Sequence, residues 1–180
     1  MISIKFTFIN VPALLLLLLI FSTQYSKGQN IQSCLKKVLK EYSSQKPEFD
    51  ARLKPINLGA ATVLVPSPFS NKRTGTKDSD MGELSRPNFT IFYDIGKMAG
   101  AHITDRNTRN SSYFTMGTYN EYKTYIGLRK EGDKDQLIIT IWERNQSSSF
   151  PANFWAYVKS KKDIKDMITI VMNFQPTKKN

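Results

Sequence analysis

The sequence contains only one cysteine, Cys34, and only one histidine, His102, among its 180 residues. A small secreted domain that depends on disulfides carries an even set of cysteines, so an internal disulfide framework is excluded. The usual zinc sites need three or four ligands from His, Cys and carboxylates, and this supply is too small. We therefore expect no metal and no cofactor, and a fold that is stabilised by apolar packing.

Catalytic motifs are equally scarce. A Ser–His–Asp triad could use only His102 as its histidine, and the chain has no Gly-x-Ser-x-Gly motif. Cys34 lies among the apolar positions of a predicted helix, so we expect it to be buried or, as the alternative, to form an intermolecular disulfide. One enzymatic hypothesis is left, a secreted single-histidine nuclease with a carboxylate base and an arginine that holds the phosphate. Its candidate residues are His102, Glu121, Glu143, Arg129 and Arg144.

Long apolar runs are absent except at the N-terminus, where Val11 to Phe21 includes six consecutive leucines. Lys5 precedes this run, and Ser26-Lys27-Gly28 places small residues where a signal peptidase cleaves. The run is too short for an ordinary membrane anchor, which needs about 20 apolar residues. Residues 1–28 are therefore predicted to be a cleaved signal peptide. Residues 29–180 are predicted to form a single secreted, extracellular domain without a membrane span.

Positive charge exceeds negative charge. The chain has 26 Lys and Arg against 15 Asp and Glu, a formal net charge of +11, and loss of the two lysines in the signal segment leaves +9. Such a balance is compatible with a polyanion partner, but it also occurs in proteins that have none. The candidate contacts for an anionic partner are Lys72, Arg73, Lys77, Arg86, Lys161, Lys162 and Lys165.

Three Asn-x-Ser/Thr triplets follow the signal segment, and each is a potential glycosylation site in a secreted eukaryotic protein. Asn110 and Asn145 lie in polar stretches that are typical of turns. Asn88 lies at the start of a predicted strand. We expect all three to be candidate acceptors.

Apolar periodicity predicts one helix and a series of strands. Residues 30–44 repeat apolar side chains at the three-and-four spacing of an amphipathic helix. Residues 122–129 and 137–142 flank a short turn that contains Gly132 and predict a β-hairpin. Further strands are predicted at 58–65, 89–95, 113–118 and 154–158, a long polar loop at 66–87, and a helical turn at 161–166 followed by a strand that ends near Phe174.

These elements predict a mainly β domain, α+β by content. An N-terminal amphipathic helix is followed by an antiparallel β-barrel or β-sandwich of about six to eight strands, because either arrangement buries many half-apolar strands. The alternative is a sheet that packs against the first helix. No internal repeat is present.

Aromatic residues crowd the C-terminal two thirds of the chain, and most of them are expected to form core. Those on predicted strands beside polar positions are candidates for ligand contact: Trp142, Trp155, Tyr157 and Tyr125. The leading hypothesis is a non-enzymatic secreted binding protein that holds a small apolar ligand or the surface of an extracellular partner protein. The second is a basic interaction protein that engages an anionic polysaccharide, nucleic acid or acidic protein, and the nuclease is the third.

Overall fold

The structure, a computed structural model, describes residues 31–43, 53–75, 78–96, 99–108, 110–119, 121–143 and 151–177. The predicted signal segment, Lys77, Arg144 and Asn145 lie outside the described residues, as does the side chain of Glu143. Within the described residues two helices, α1 and α2, accompany two antiparallel sheets, so the domain is mainly β, as predicted. No helix among the described residues is long and apolar enough to cross a membrane.

Helix α1 spans residues 31–43 and agrees with the predicted amphipathic helix. The strands and the second helix follow in the order β1 Leu53–Asn57, β2 Ala61–Pro66, β3 Ser70–Arg73, β4 Ser79–Arg86, β5 Phe89–Gly96, β6 Ser111–Tyr119, β7 Tyr122–Glu131, β8 Lys134–Glu143, β9 Ala152–Val158, α2 Lys161–Met172 and β10 Gln175–Pro176.

The large sheet has seven antiparallel strands in the order β3-β4-β5-β9-β8-β7-β6, and the small sheet has the order β1-β2-β10. The predicted hairpin is β7–β8, and Gly132 in its turn has a φ of 61°, which a glycine adopts without strain. The pairings of the described strands leave β3 and β6 as the two ends of the large sheet and do not close a barrel.

One face of the large sheet, here called the core face, packs against the rest of the domain. Tyr93 of β5, Phe154 of β9 and Ile139 of β8 are fully buried there. They share one apolar cluster with Val63 of β2 and with residues of both helices. Cys34 of α1 is half-buried against this cluster. A single core thus holds together the two sheets and the helices that cover the large sheet.

The predicted loop at 66–87 is wrong, because it contains β3 and β4. Strand β4 is mainly polar, since it lies next to the edge of the sheet. Its inward position Gly82 has no side chain, and the space is taken by Tyr93, whose hydroxyl would lie 2.4 Å from a Cβ at Gly82. Tyr93 then donates a hydrogen bond to Asn71 of β3 at 3.0 Å. Contacts with Tyr93, which is distant in the sequence, therefore stabilise these polar residues as strands.

The predicted C-terminal strand is also wrong, because α2 continues to Met172. Ser160 caps the helix by accepting a bond from the backbone N–H of Asp163, and Asp163 accepts from the Ser160 hydroxyl in return. The β-branched run 168–171, which favours a strand locally, is mostly buried in the shared core as one part of the helix. Tertiary burial thus outweighs the intrinsic preference of these residues.

Helix α2 is connected to the large sheet by an ion-pair cluster. The Arg86 guanidinium of β4 donates to Asp163 Oδ1 at 2.6 Å and to Asp166 Oδ2 at 2.8 Å. The Arg86 side chain is only 12% exposed, and it also lies over the Phe89 ring at 4.8 Å. Removal of one partner from such a cluster leaves uncompensated buried charge.

We expect Arg86→Met to lower the free energy of unfolding by about 3–5 kcal/mol, because two carboxylates lose their shared cation in a nearly buried position. Urea unfolding followed by circular dichroism measures this loss. The matched control is Lys161→Met, which breaks an exposed pair with Glu41 and is expected to cost about 0–1 kcal/mol. Equal losses in the two variants would contradict a structural role for the Arg86 cluster.

Candidate ligand-binding site

Strand register arranges the other side of the large sheet, here called the outer face, into transverse rows. One row runs from Phe92 through Trp155 and Ile138 to Gly127 and Phe114, because these residues are direct partners on adjacent strands. The next row toward the hairpin turn contains Tyr157, Gln136 and Arg129. Side chains alternate between the two faces of a strand, so these residues all point away from the core face.

Residues 99–108, here called the covering segment, lie over part of the outer face. Buried Asn153 holds this segment: its Oδ1 accepts from the His102 backbone N–H at 3.0 Å, and its Nδ2 donates to the Gly100 carbonyl at 2.9 Å. Thr140 Oγ1 donates to the same Asn153 oxygen at 2.8 Å and accepts from the Ile103 N–H at 3.2 Å. Three hydrogen bonds to the covering segment, supported by the bond between Thr140 and Asn153, thus replace the ladder that an additional strand would supply.

Ile103 anchors the covering segment by apolar contact. It forms a small second cluster with Tyr125 and Ile138, separate from the main core. A Cβ at Gly127 would lie 1.9 Å from Ile103 Cδ1, so Gly127 provides the space into which Ile103 packs. The absence of a side chain at this position of β7 allows the covering segment to approach the sheet closely.

Between the covering segment and the sheet lies an open cleft of about 440 Å³. The Trp155 ring forms one wall, with the His102 ring at 4.7 Å and the Phe92 ring stacked behind it at 5.7 Å. On another side, Arg129 Nε donates to Gln136 Oε1 at 2.7 Å, which fixes the orientation of the guanidinium. The residues that line the cleft are Ala101, His102, Asn107, Arg129, Gln136, Ile138 and Trp155.

The charge of the cleft is set by Arg129. Although His102 as a residue is exposed, its ring lies against Trp155, and partial burial lowers the pKa of the imidazole below its ordinary value. Arg129 lowers this pKa further, and Asp94 opposes the shift. The imidazole is therefore neutral at neutral pH, and Arg129 supplies the single formal charge of the lining. No carboxylate is among the described lining residues.

The four predicted ligand contacts all lie on the outer face, but the structure brings only Trp155 into the cleft. Tyr125 is buried beneath the covering segment as part of the second cluster. Tyr157 is beside the cleft, where its hydroxyl donates to Glu131 at 2.6 Å. Trp142 lies four positions along β8 from Ile138, or roughly 13 Å at the rise of a strand.

Sequence reasoning missed Asn107 and Gln136, and it assigned His102 and Arg129 to a nuclease rather than to a binding cleft. The alternation of Arg129 with the apolar positions of β7 does predict an outward side chain. No local signal in the sequence indicates that residues 99–108 fold back over β8 and β9, because the contacts join positions that are 37 to 53 residues apart.

Most candidate contacts for an anionic partner have acidic neighbours. Arg86 is held by two carboxylates of α2, Arg73 pairs with Asp80, and Lys162 pairs with Asp166 at 2.9 Å. Lys161 pairs with Glu41 at 3.0 Å. Lys72 and Lys165 are exposed, on β3 and α2 respectively. The six candidate cations in the described part of the chain therefore do not form one cluster of uncompensated charge.

Two of the three candidate glycosylation sites lie in the described residues. Asn88 is exposed in the tight turn between β4 and β5 rather than within a strand, with a φ of 64°. Asn110 is exposed immediately before β6, with a φ of 74°. Both residues are thus exposed to solvent.

The core itself offers little room for a ligand. A cavity of about 10 Å³ lies between β7, β8 and the end of α2, lined by residues that include Tyr119, Ile141 and Phe174. This volume is about that of one water-sized probe. Of these two spaces in the described part of the chain, only the cleft on the outer face is larger than a water molecule.

Comparisons of the chain with models of known protein families and with curated proteins found no match.

We expect Thr140→Val to loosen the covering segment, because the substitution keeps the volume but leaves the Ile103 N–H and one Asn153 bond without a partner. Hydrogen exchange of the His102 and Ile103 amides is expected to accelerate by about tenfold or more, as the loss of a buried hydrogen bond costs about 1–3 kcal/mol. Thr124→Val is the control, since Thr124 is equally buried but bonds to the Tyr122 carbonyl. Unchanged exchange in Thr140→Val would contradict the assigned network.

Proposed function

We propose that this protein is a secreted, non-catalytic binding protein that holds a small ligand in the cleft on the outer face. The observation that carries this proposal is the cleft itself, in which an aromatic wall and an oriented cation face the same space. Its volume of about 440 Å³ falls within the range of about 300–1,000 Å³ that is common for small-molecule sites.

The lining favours an amphiphilic ligand over a purely apolar one. Trp155 offers a flat apolar surface against which a planar group packs. Arg129, whose Nε is already engaged by Gln136, has terminal N–H groups that suit a carboxylate, sulfate or phosphate. Asn107 adds an amide that both donates and accepts. We infer a small organic anion with a flat apolar part.

Binding is better supported than nuclease chemistry. His102 and Arg129 share the cleft, but no carboxylate is among its described lining residues to act as a base. Glu121 lies at the β6–β7 turn, eight positions from Arg129, or roughly 25 Å along an extended strand. The acid–base pair that this mechanism needs at hydrogen-bond distance is thus not assembled from Glu121.

A small-ligand site is also better supported than a broad polyanion surface. Four of the six candidate cations in the described residues are paired with carboxylates, and the other two, Lys72 and Lys165, lie on separate elements. As for the architecture, we propose a two-layer β-sandwich-like domain. The large sheet forms one layer, and the small sheet with the helices forms the other, which leaves the outer face available to a ligand.

The fluorescent anion anilinonaphthalene sulfonate tests the cleft, because it combines flat rings with a sulfonate. We expect wild-type protein to bind it, and Trp155→Leu and Arg129→Gln each to weaken the affinity by about tenfold, which corresponds to loss of one good contact. Isothermal titration calorimetry gives the affinity. Arg73→Gln is the control, since it removes an arginine from β3 outside the cleft.

Phenylnaphthylamine, which lacks the sulfonate, separates the two contacts. Its binding is expected to fall with Trp155→Leu and to be unaffected by Arg129→Gln. Failure of the wild-type protein to bind either probe, or equal effects of Arg73→Gln and Arg129→Gln on the sulfonate, would contradict the proposed site.

Maturation is tested by expression in eukaryotic secretory cells. We expect the protein in the medium to begin at Gln29, because the signal peptide is removed during export. Asn88→Gln and Asn110→Gln are each expected to reduce the mass by one glycan, since both positions are exposed. Intact mass spectrometry before and after deglycosylation measures both results. A product that keeps residues 1–28, or that stays inside the cell, would contradict secretion.

A further inference from the structure

The two edges of the large sheet differ in a way that bears on assembly. Strand β3 has only four residues, and two of them are Lys72 and Arg73. Short length and charge are the usual protections against pairing with another chain. Strand β6 has nine residues, Ser111 to Tyr119, with no charged residue and no proline. Met116 on this strand is 57% exposed, which is the highest value for a large apolar side chain in the described residues.

We propose that β6 pairs with β6 of a second copy of this chain, antiparallel and about a two-fold axis that passes through Thr115. The axis is perpendicular to the sheet, so the two large sheets join edge to edge into one continuous sheet. Among the described residues β6 is paired with β7 on one side only, so the backbone N–H and C=O groups in the middle of the strand that point away from β7 have no strand partner there and suit these hydrogen bonds.

The register follows from the alternation of faces. Along β6 the even-numbered side chains lie on the outer face and the odd-numbered ones on the core face. The outer faces of the two copies align only when each even-numbered residue faces another even-numbered one, so the two residue numbers of every pair must have an even sum. A centre at Thr115, the middle of the strand, satisfies this condition and uses its full length. Phe114 then faces Met116 of the second copy, Tyr113 faces Gly117, and Thr115 faces itself.

These cross-strand pairs are complementary. On the outer face, Met116 packs against Phe114 of the second copy, and sulfur–aromatic contact of this kind is favourable. On the core face, Tyr113 lies opposite Gly117 and diagonal to Tyr119, whose ring already leans over Gly117. Diagonal aromatic neighbours are within contact distance in a sheet. Pairing about this axis thus covers Met116, the most exposed large apolar side chain in the described residues.

Local charge on β6 does not oppose pairing with a second copy of this basic chain. Like charges that face each other directly across two strands are destabilising, and β6 brings none to the axis. The net charge of the whole chain still causes long-range repulsion between two copies. Salt screens that repulsion, so association is expected to strengthen as the ionic strength rises.

A strand-to-strand contact is small, and interfaces below about 1,200 Å² are typically weak and transient. We therefore expect a monomer–dimer equilibrium in the micromolar range rather than a permanent dimer. Sedimentation velocity over a series of protein concentrations, at low and at moderate salt, measures it. A sedimentation coefficient that stays that of a monomer at about 1 mM protein, where a micromolar dimer is well populated, would overturn the proposal.

Met116→Lys is expected to weaken dimerisation by about tenfold or more, because the two new lysines lie diagonal to each other across the axis and repel. The matched control is Met81→Lys, which changes the other exposed methionine, at 38% exposure on β4. Urea unfolding confirms that both variants fold. Equal dimerisation of Met116→Lys and wild type would overturn the proposal.

A cross-linking experiment tests the register. With Cys34→Ser as the background, Thr115→Cys places two cysteines opposite each other, with Cα atoms about 4.5–5.5 Å apart, within the range of a disulfide. Under mild oxidation we expect a covalent dimer from Thr115→Cys. Thr118→Cys faces Ser112 of the second copy and is expected to stay monomeric. A dimer that forms as readily from Thr118→Cys would overturn the proposed axis. A product in which β6 is cross-linked to a strand of another protein would overturn it as well.

Discussion

Asn153 is the residue on which the geometry of the candidate site depends. It is completely buried, and a buried amide is tolerated only when its donors and acceptors are matched. Its side chain bonds to two backbone groups of the covering segment and to Thr140, so the polar requirement of one position determines where residues 99–108 lie. The cleft is formed where residues of this segment, held against the outer face by these bonds, face Trp155 and Arg129.

The alternation of side chains between the two faces of each strand accounts for both the cleft and the proposed dimer edge. Phe154 packs into the core and its neighbour Trp155 points outward, so one strand contributes to the stability of the fold and to the site. In β6, Tyr113 contacts the core and Phe114 contacts the second cluster. Strands near the middle of the sheet have a neighbour on each side, whereas β6 has apolar side chains but no second neighbour among the described strands. The candidate binding face and the proposed dimer edge are thus two consequences of one sheet.

Local patterns predicted the elements whose information is local. The α1 helix has an unambiguous apolar face, and the β7–β8 hairpin combines alternation with a glycine in the turn. Local patterns failed where residues far apart in the sequence determine the secondary structure. Tyr93 fills the space over Gly82 and stabilises a polar stretch as a strand, and burial in the shared core stabilises the β-branched end of α2 as a helix. For the site, the outward direction of Trp155 and Arg129 was accessible from alternation, but their convergence with His102 was not.

The sequence by itself determined that the domain is mainly β and begins with an amphipathic helix, because periodicity and turn residues act within a few positions along the chain. It also excluded disulfide frameworks and common zinc sites by count. Only the tertiary structure decided which side chains meet at the cleft, which cations are neutralised by Asp163 and Asp166, and which strand lies at the uncharged edge. Those properties depend on strand order and on contacts between residues far apart in the sequence. Such contacts form only when the whole core packs, because the free energy of packing is gained only then.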